Sequence, residues 1–269
     1  MKKQWVRFKE NILGVGFNFD KYTGQSYNAD LDIYEKNEWY ERGQRRRLKW
    51  HEWLLFIPRI PIHFSTLIHE LGHYLAAKLV PKRIGLLIGD VVVGKVSAKG
   101  YLFHIPGIPL YIYPESCGAA NGFVQFKNVH WFRWWGMLIA AGGPIFQFLF
   151  FYGLVHLANH IPYILPKVLL IGTCCFGILS AALNFLAIAG GDGLLMSKFA
   201  SKRLMTENTN TQERSKMNFF QTMKYKGAIF VFLLQIGVLA SIHTILWKSI
   251  RFLVITIPDI IYFGLMEII

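Results

Sequence analysis

The chain has 269 residues, of which 53% are hydrophobic and only 17% charged, too apolar for a soluble domain of this length. Its formal net charge of +13 would suit a nucleic-acid binder, but no basic face with interleaved aromatics occurs outside a hydrophobic context. The charge is therefore assigned to loops facing anionic lipid headgroups and to the positive-inside bias, and nucleic acid is excluded as a partner.

Residues 1–52 form a polar and basic extension, mixed in charge and rich in Tyr, Trp, Asn and Gly, ending in Arg45-Arg46-Arg47-Leu48-Lys49. The first ten residues lack a sustained apolar run, so no cleavable signal peptide is expected. A basic run just before a membrane segment suits contact with lipid headgroups. From Trp53 the chain turns apolar, interrupted by Pro58, Arg59 and Pro61. The first span is expected over about 61–80, with Pro61 in its first turn, where a missing N–H costs nothing.

That span contains His69-Glu70-Leu71-Gly72-His73. Side chains four apart lie one above the other on a helix, so both imidazoles can reach one metal ion, with Glu70 one step round. Ionisable groups at a bilayer centre cost about 2.5 to 3.5 kcal/mol each. Zinc binds structural peptide sites with roughly 10 to 16 kcal/mol, enough to offset several such penalties.

After the span the pattern changes to short β-rich pieces over 84–126: Val91-Val92-Val93, Tyr101-Leu102-Phe103, Leu110 to Tyr113 and Phe123 to Phe126, punctuated by Gly and Pro. These read as hairpin strands of a small sheet. Lipid does not tolerate open strand edges, so the sheet must lie at the interface or against protein beside the site. A second span over 131–158 opens with Trp131, Trp134 and Trp135 and contains Gly142-Gly143-Pro144, small residues that let helices approach closely. A short link leads to the third span, over 163–189, so these two helices pack side by side. A polar loop follows over 196–226, then one or two C-terminal spans over 227–269, broken by Pro258 and Asp259. Of the three cysteines, Cys117, Cys174 and Cys175, the adjacent pair lies in an apolar span and no disulfide framework is present.

The chain therefore reads as a mostly α, polytopic integral membrane protein of the cell membrane: a core over 53–195 with three transmembrane helices, one or two further spans, and a membrane-associated β-sheet after the first. A catalytic zinc takes three protein ligands. Asp192 is the best third ligand, a carboxylate at the end of an apolar span, flanked by Gly191 and Gly193, on the same side of the bilayer as the end of the first span.

Three elements in order carry a resemblance to the site-2 protease family of intramembrane zinc metalloproteases. They are His69-Glu70-x-x-His73, Gly142-Gly143-Pro144, and Asn184 followed eight residues later by Asp192-Gly193. The resemblance covers about 61–195. It implies Zn2+ held by His69, His73 and Asp192, Glu70 as general base, and Asn184 as a contact for substrate backbone. It also implies a membrane-protein substrate cleaved in or near a transmembrane segment, and an edge in the sheet that receives the substrate strand. Ala187 and Ala189 stand where the family carries proline, and Gln147 where it usually has Asn, Ser or Gly. The sequence leaves two other readings open: a catalytically silent membrane adaptor or immunity protein binding a partner's transmembrane helix, and a membrane metallohydrolase of a non-peptide substrate.

Overall fold

The computed structural model describes residues 45–81, 86–94, 100–105, 109–114, 122–127, 133–189, 191–200 and 219–266. Most of the extension (1–44), Cys117, Trp131 and most of the polar loop (201–218) lie outside the described residues. In chain order the elements are α1 (Trp50–Phe56), a 3-10 turn (Ile57–Arg59), α2 (Ile60–Lys78), β1 (Leu87–Val93), β2 (Phe103–Ile105), β3 (Leu110–Ile112) and β4 (Gly122–Lys127). Then follow α3 (Arg133–Ala158), α4 (Ile164–Phe185), a 3-10 turn (Ala187–Ala189), α5 (Gly191–Ala200), α6 (Phe219–Thr222), α7 (Lys226–Ser241) and α8 (His243–Arg251). A π-helical turn (Phe252–Thr256) joins α8 to α9 (Ile257–Met266).

The fold is mostly helical with one small mixed sheet, as the sequence pattern predicts. Among the described residues, fewer helices qualify as spans than the three plus one or two expected. On length and apolarity, α3 from Trp134 and α4 qualify alone, and α7 with the helical stretch His243–Phe263 that follows it makes a third only if that pair, bent by 62°, counts as one. Two such helices are consistent with a membrane protein. The outer surfaces of α3, α4 and α7 agree, since Leu149, Leu157, Leu169, Leu183, Phe230 and Leu233 are each more than half exposed.

The shortfall lies mainly in α2. Its 19 residues give about 28 Å, close to the bilayer's hydrocarbon thickness. It is too polar to count as a span, because His63, Ser65, Thr66, His69, Glu70 and His73 are buried along it. Protein covers its polar face, while Ile60, Leu75 and Leu79 stay exposed. After α2 ends, β1 runs back along it: Ile88 packs near Ala77 and Val80, then Val91 and Val93 pack against Leu67 and Tyr74. Further along, the His63 ring bridges the Arg59 and Tyr113 carbonyls, at 3.0 and 2.9 Å. The opposite side of α2 meets α3 and α4 through Ile68, Phe151, Cys174 and Ile178.

Four strands form where the β-rich pieces lie, but not as successive hairpins. Their order is β2-β3-β1-β4, with β1 parallel to β3 and antiparallel to β4. Among them, β2 and β3 are neighbours in both sequence and sheet. One sheet face, with Leu110 and Val124, packs on α2. The other gathers Val92, Tyr111, Tyr113 and Phe123 under Tyr101.

The basic run is tied to this sheet as well as exposed. The Arg46 N–H donates to the Tyr101 carbonyl, and its guanidinium donates to Glu52 at 2.6 Å. Glu52 also accepts the Lys49 N–H at 2.8 Å. That backbone bond, with Arg46 beside it, holds the Glu52 carboxyl below the usual carboxylate range.

The third span ends earlier than expected. Helix α4 stops at Phe185, Leu186 is extended, and a new helix, α5, starts at Gly191. Residues 196–200, assigned to the polar loop, continue α5. Met196, Phe199 and Ala200 are buried against Ala140 and Ala141 of α3 and Val231 of α7. Pro258, expected to break the tail, sits in the first turn of α9, straight after the π-helical turn.

Candidate metal centre

The helical spacing of His69 and His73 puts both rings on one face of α2, with centroids 4.7 Å apart. Glycines then bring α3 against that face. A Cβ on Gly142 would lie 2.8 Å from the Gly72 carbonyl oxygen, so only bare backbone permits the helices to come this close. Gly143 sits beneath the imidazoles. A Cβ there would lie 2.9 Å from His69 Nε2 and nearer still to His73 Nε2, in the space the two rings enclose. The Gly-Gly pair thus does more than join helices.

Asp192 arrives from the start of α5. Gly191 has φ of +56°, a left-handed conformation that favours glycine. A Cβ on Gly193 would lie 2.7 Å from the Ala187 nitrogen, so this turn closes only on glycine. The first turn of a helix also favours a negative charge. Asp192 Oδ2 lies 2.8 Å from His69 Nε2, and Oδ1 lies 3.3 Å from His73 Nε2. The two Nε2 atoms are 3.1 Å apart. His69, His73 and Asp192 are each at least nine-tenths buried.

The outer nitrogens decide what the inner ones present. His73 Nδ1 is 2.7 Å from the Ile139 carbonyl, which can only accept, so Nδ1 carries the hydrogen and the neutral ring offers a lone pair at Nε2. His69 is set the same way by Gln147 Oε1 at 2.8 Å, and Gln147 Nε2 in turn donates to Ser65 Oγ at 2.7 Å. Two nitrogen lone pairs and a carboxylate, buried and aimed at one point, repel one another unless a proton or a metal ion lies between them. Zinc bonds of about 2.0 to 2.1 Å in tetrahedral geometry place ligand atoms roughly 3.3 Å apart. The observed 3.1 and 3.3 Å are of that size, and the 2.8 Å His69–Asp192 contact is shorter, at hydrogen-bond length. The three groups can hold a metal ion, and the donor set of two imidazoles and a carboxylate suits zinc.

Glu70 is 6% exposed, and among the described residues no donor hydrogen-bonds its carboxylate. Its side chain lies against Gly122 at the start of β4, where a Cβ would be 2.7 Å from Glu70 Oε1. Asn184 stands apart from the ligands. It is half-buried in the last turn of α4, its Oδ1 3.9 Å from where a Cβ on Gly191 would sit, beside the turn that carries Asp192. Gln147, noted in the sequence as a departure from the family pattern, is the residue whose role as a partner of His69 the sequence does not reveal. It lies one helical turn beyond Gly143 on the same face of α3 and is almost fully buried. Of the other histidines, His63 joins α2 to the sheet, His104 packs on Tyr111 and His156 on Tyr152. His130 lies outside the described residues.

No family model, curated protein or solved structure matches the chain.

Proposed function

We propose that the chain is an intramembrane zinc metalloprotease of the site-2 type, hydrolysing peptide bonds in or near transmembrane segments of other membrane proteins. The observation that supports this best is the convergence of His69, His73 and Asp192, from segments 123 residues apart, beside a buried carboxylate, Glu70, that no described donor engages. A protein that only binds a partner's helix has no need of that carboxylate. Burying it without a hydrogen-bond donor costs stability, and groups kept at such a cost cluster at functional sites.

His69, His73 and Asp192 would hold the zinc, with their inner atoms already aimed and two of the three fixed from behind by Gln147 and the Ile139 carbonyl. When bound, zinc supplies Lewis-acid polarisation of a carbonyl and brings the pKa of a water down to about 7. Glu70 takes a proton from the attacking water as its oxygen bonds to the carbonyl carbon. It returns that proton to the amide nitrogen as the C–N bond breaks, leaving a carboxyl and an amine. A substrate helix hides its carbonyls and must unwind first. An extended segment laid along β4 would pass Glu70 at Gly122, with the Asn184 amide available to its backbone near Gly191. The substrate is thus another membrane protein, reached from within the bilayer.

The test is to purify the protein with and without Glu70→Gln, measure zinc content, and follow cleavage of a membrane-protein substrate. The expected result is about one zinc per chain in both and loss of cleavage by 10²-fold or more in the variant. Undiminished cleavage by Glu70→Gln would refute the mechanism.

A further inference from the structure

The turn between α4 and Asp192 poses a backbone problem. Helix α4 ends at Phe185, and Leu186 is extended at φ −82° and ψ 130°. Ala187, the first residue of the 3-10 turn, is fully buried, so its N–H needs a partner inside the protein. That partner comes from α7. Gln235 Oε1 accepts the Ala187 N–H at 3.2 Å, and Gln235 Nε2 donates to the Gly193 carbonyl at 3.0 Å. Gln235 is itself fully buried, in a helix that after Lys226 is otherwise built of apolar and small residues. One side chain therefore grips the chain before and after Asp192 and closes the turn from which the carboxylate projects.

We propose that Gln235 is the positioning residue for Asp192, replacing with two hydrogen bonds the stiffness that proline would give the turn at 187. This rests on the reading of Asp192 as a metal ligand. The slot at 187 is shaped for proline: the preceding residue is extended, as a residue before proline must be, and a 3-10 turn needs φ near −60°. Gln235 Oε1 lies on the Ala187 N–H, 3.2 Å from the nitrogen, so a proline Cδ bonded to that nitrogen at about 1.5 Å would come well inside van der Waals contact with it. The two solutions exclude each other. Either the N–H is present and Gln235 receives it, or the N–H is absent and the glutamine must be absent too. The Gly193 carbonyl keeps Ser197 Oγ, at 3.1 Å, whichever solution is used.

The experiment uses the full chain in detergent or nanodiscs and four proteins: wild type, Gln235→Ala, Ala187→Pro, and the double variant. Zinc affinity is measured by chelator competition with zinc chloride, and hydrogen exchange of the peptide spanning 184–196 is measured on the metal-free protein. Each single variant is expected to bind zinc 10- to 100-fold more weakly, as when a supporting residue is lost, and to exchange about tenfold faster in that peptide. The double variant is expected to recover most of both, because the ring fills the space the glutamine leaves and no N–H is stranded. A Gln235→Ala protein equal to wild type in both measurements overturns the proposal. Singles whose losses simply add in the double, or a uniform rise in exchange over all helices, overturn it as well, since either marks general packing. If wild type binds no zinc but the exchange pattern holds, the metal reading fails while the Gln235 brace stands.

Discussion

Replacing Gln147 tests the centre without touching a ligand. Gln147 accepts from His69 Nδ1 at 2.8 Å and donates to Ser65 Oγ at 2.7 Å, and all three residues are buried. Gln147→Leu keeps the volume nearly constant and removes both bonds, so His69 is free to turn about χ2 or to carry its hydrogen on Nε2, where it blocks the metal. Loss of such an outer partner costs 10- to 100-fold in metal affinity, about 1.4 to 2.7 kcal/mol. Gln147→Glu should act in the opposite sense. A carboxylate behind His69 makes its ring a stronger base, the arrangement common behind zinc-bound histidines. Ser65→Ala, which leaves the His69 bond in place, should fall between Gln147→Leu and wild type. The assay is zinc affinity by chelator competition, with far-UV circular dichroism to show that each variant is folded. A folded Gln147→Leu protein binding zinc as tightly as wild type would refute the claim that the outer bonds set the ligands.

Gly143→Ala should abolish zinc binding while preserving helicity: alanine gains up to about 1 kcal/mol of helix propensity, but its Cβ enters the space beside both Nε2 atoms. Zinc titration against circular dichroism separates the two effects, and full zinc binding would contradict the geometry. Gly177→Ala should do the reverse. Its Cβ would lie 2.6 Å from Phe151 Cγ at the α3–α4 contact, so thermal unfolding should show a loss of about 1 to 3 kcal/mol, with the ligands in reach of one another as before.

The amino-acid pattern alone placed both imidazoles on one helix face, because four-residue spacing is a property of any α-helix. It also marked Asp192 between glycines, and the structure gives each glycine its own reason: positive φ at Gly191 and backbone contact at Gly193. The four strands and the α3–α4 pair were legible for the same reason, since turn residues and apolar runs act locally. Three features were not. Helix α2 has the length of a span and its polar residues are visible in the sequence, but that they are buried between β1 on one side and α3 on the other is not. That depends on a sheet whose order, with β1 parallel to β3, no local pattern encodes. Gln147 and Gln235 each look like one polar residue in an apolar helix. Their partners lie 78 and 82 residues away for Gln147, and 48 and 42 for Gln235. Spacing along one helix fixes which atoms can face a metal. Which atoms stand behind them is fixed only when distant segments pack, because a buried hydrogen bond is specified by both its ends.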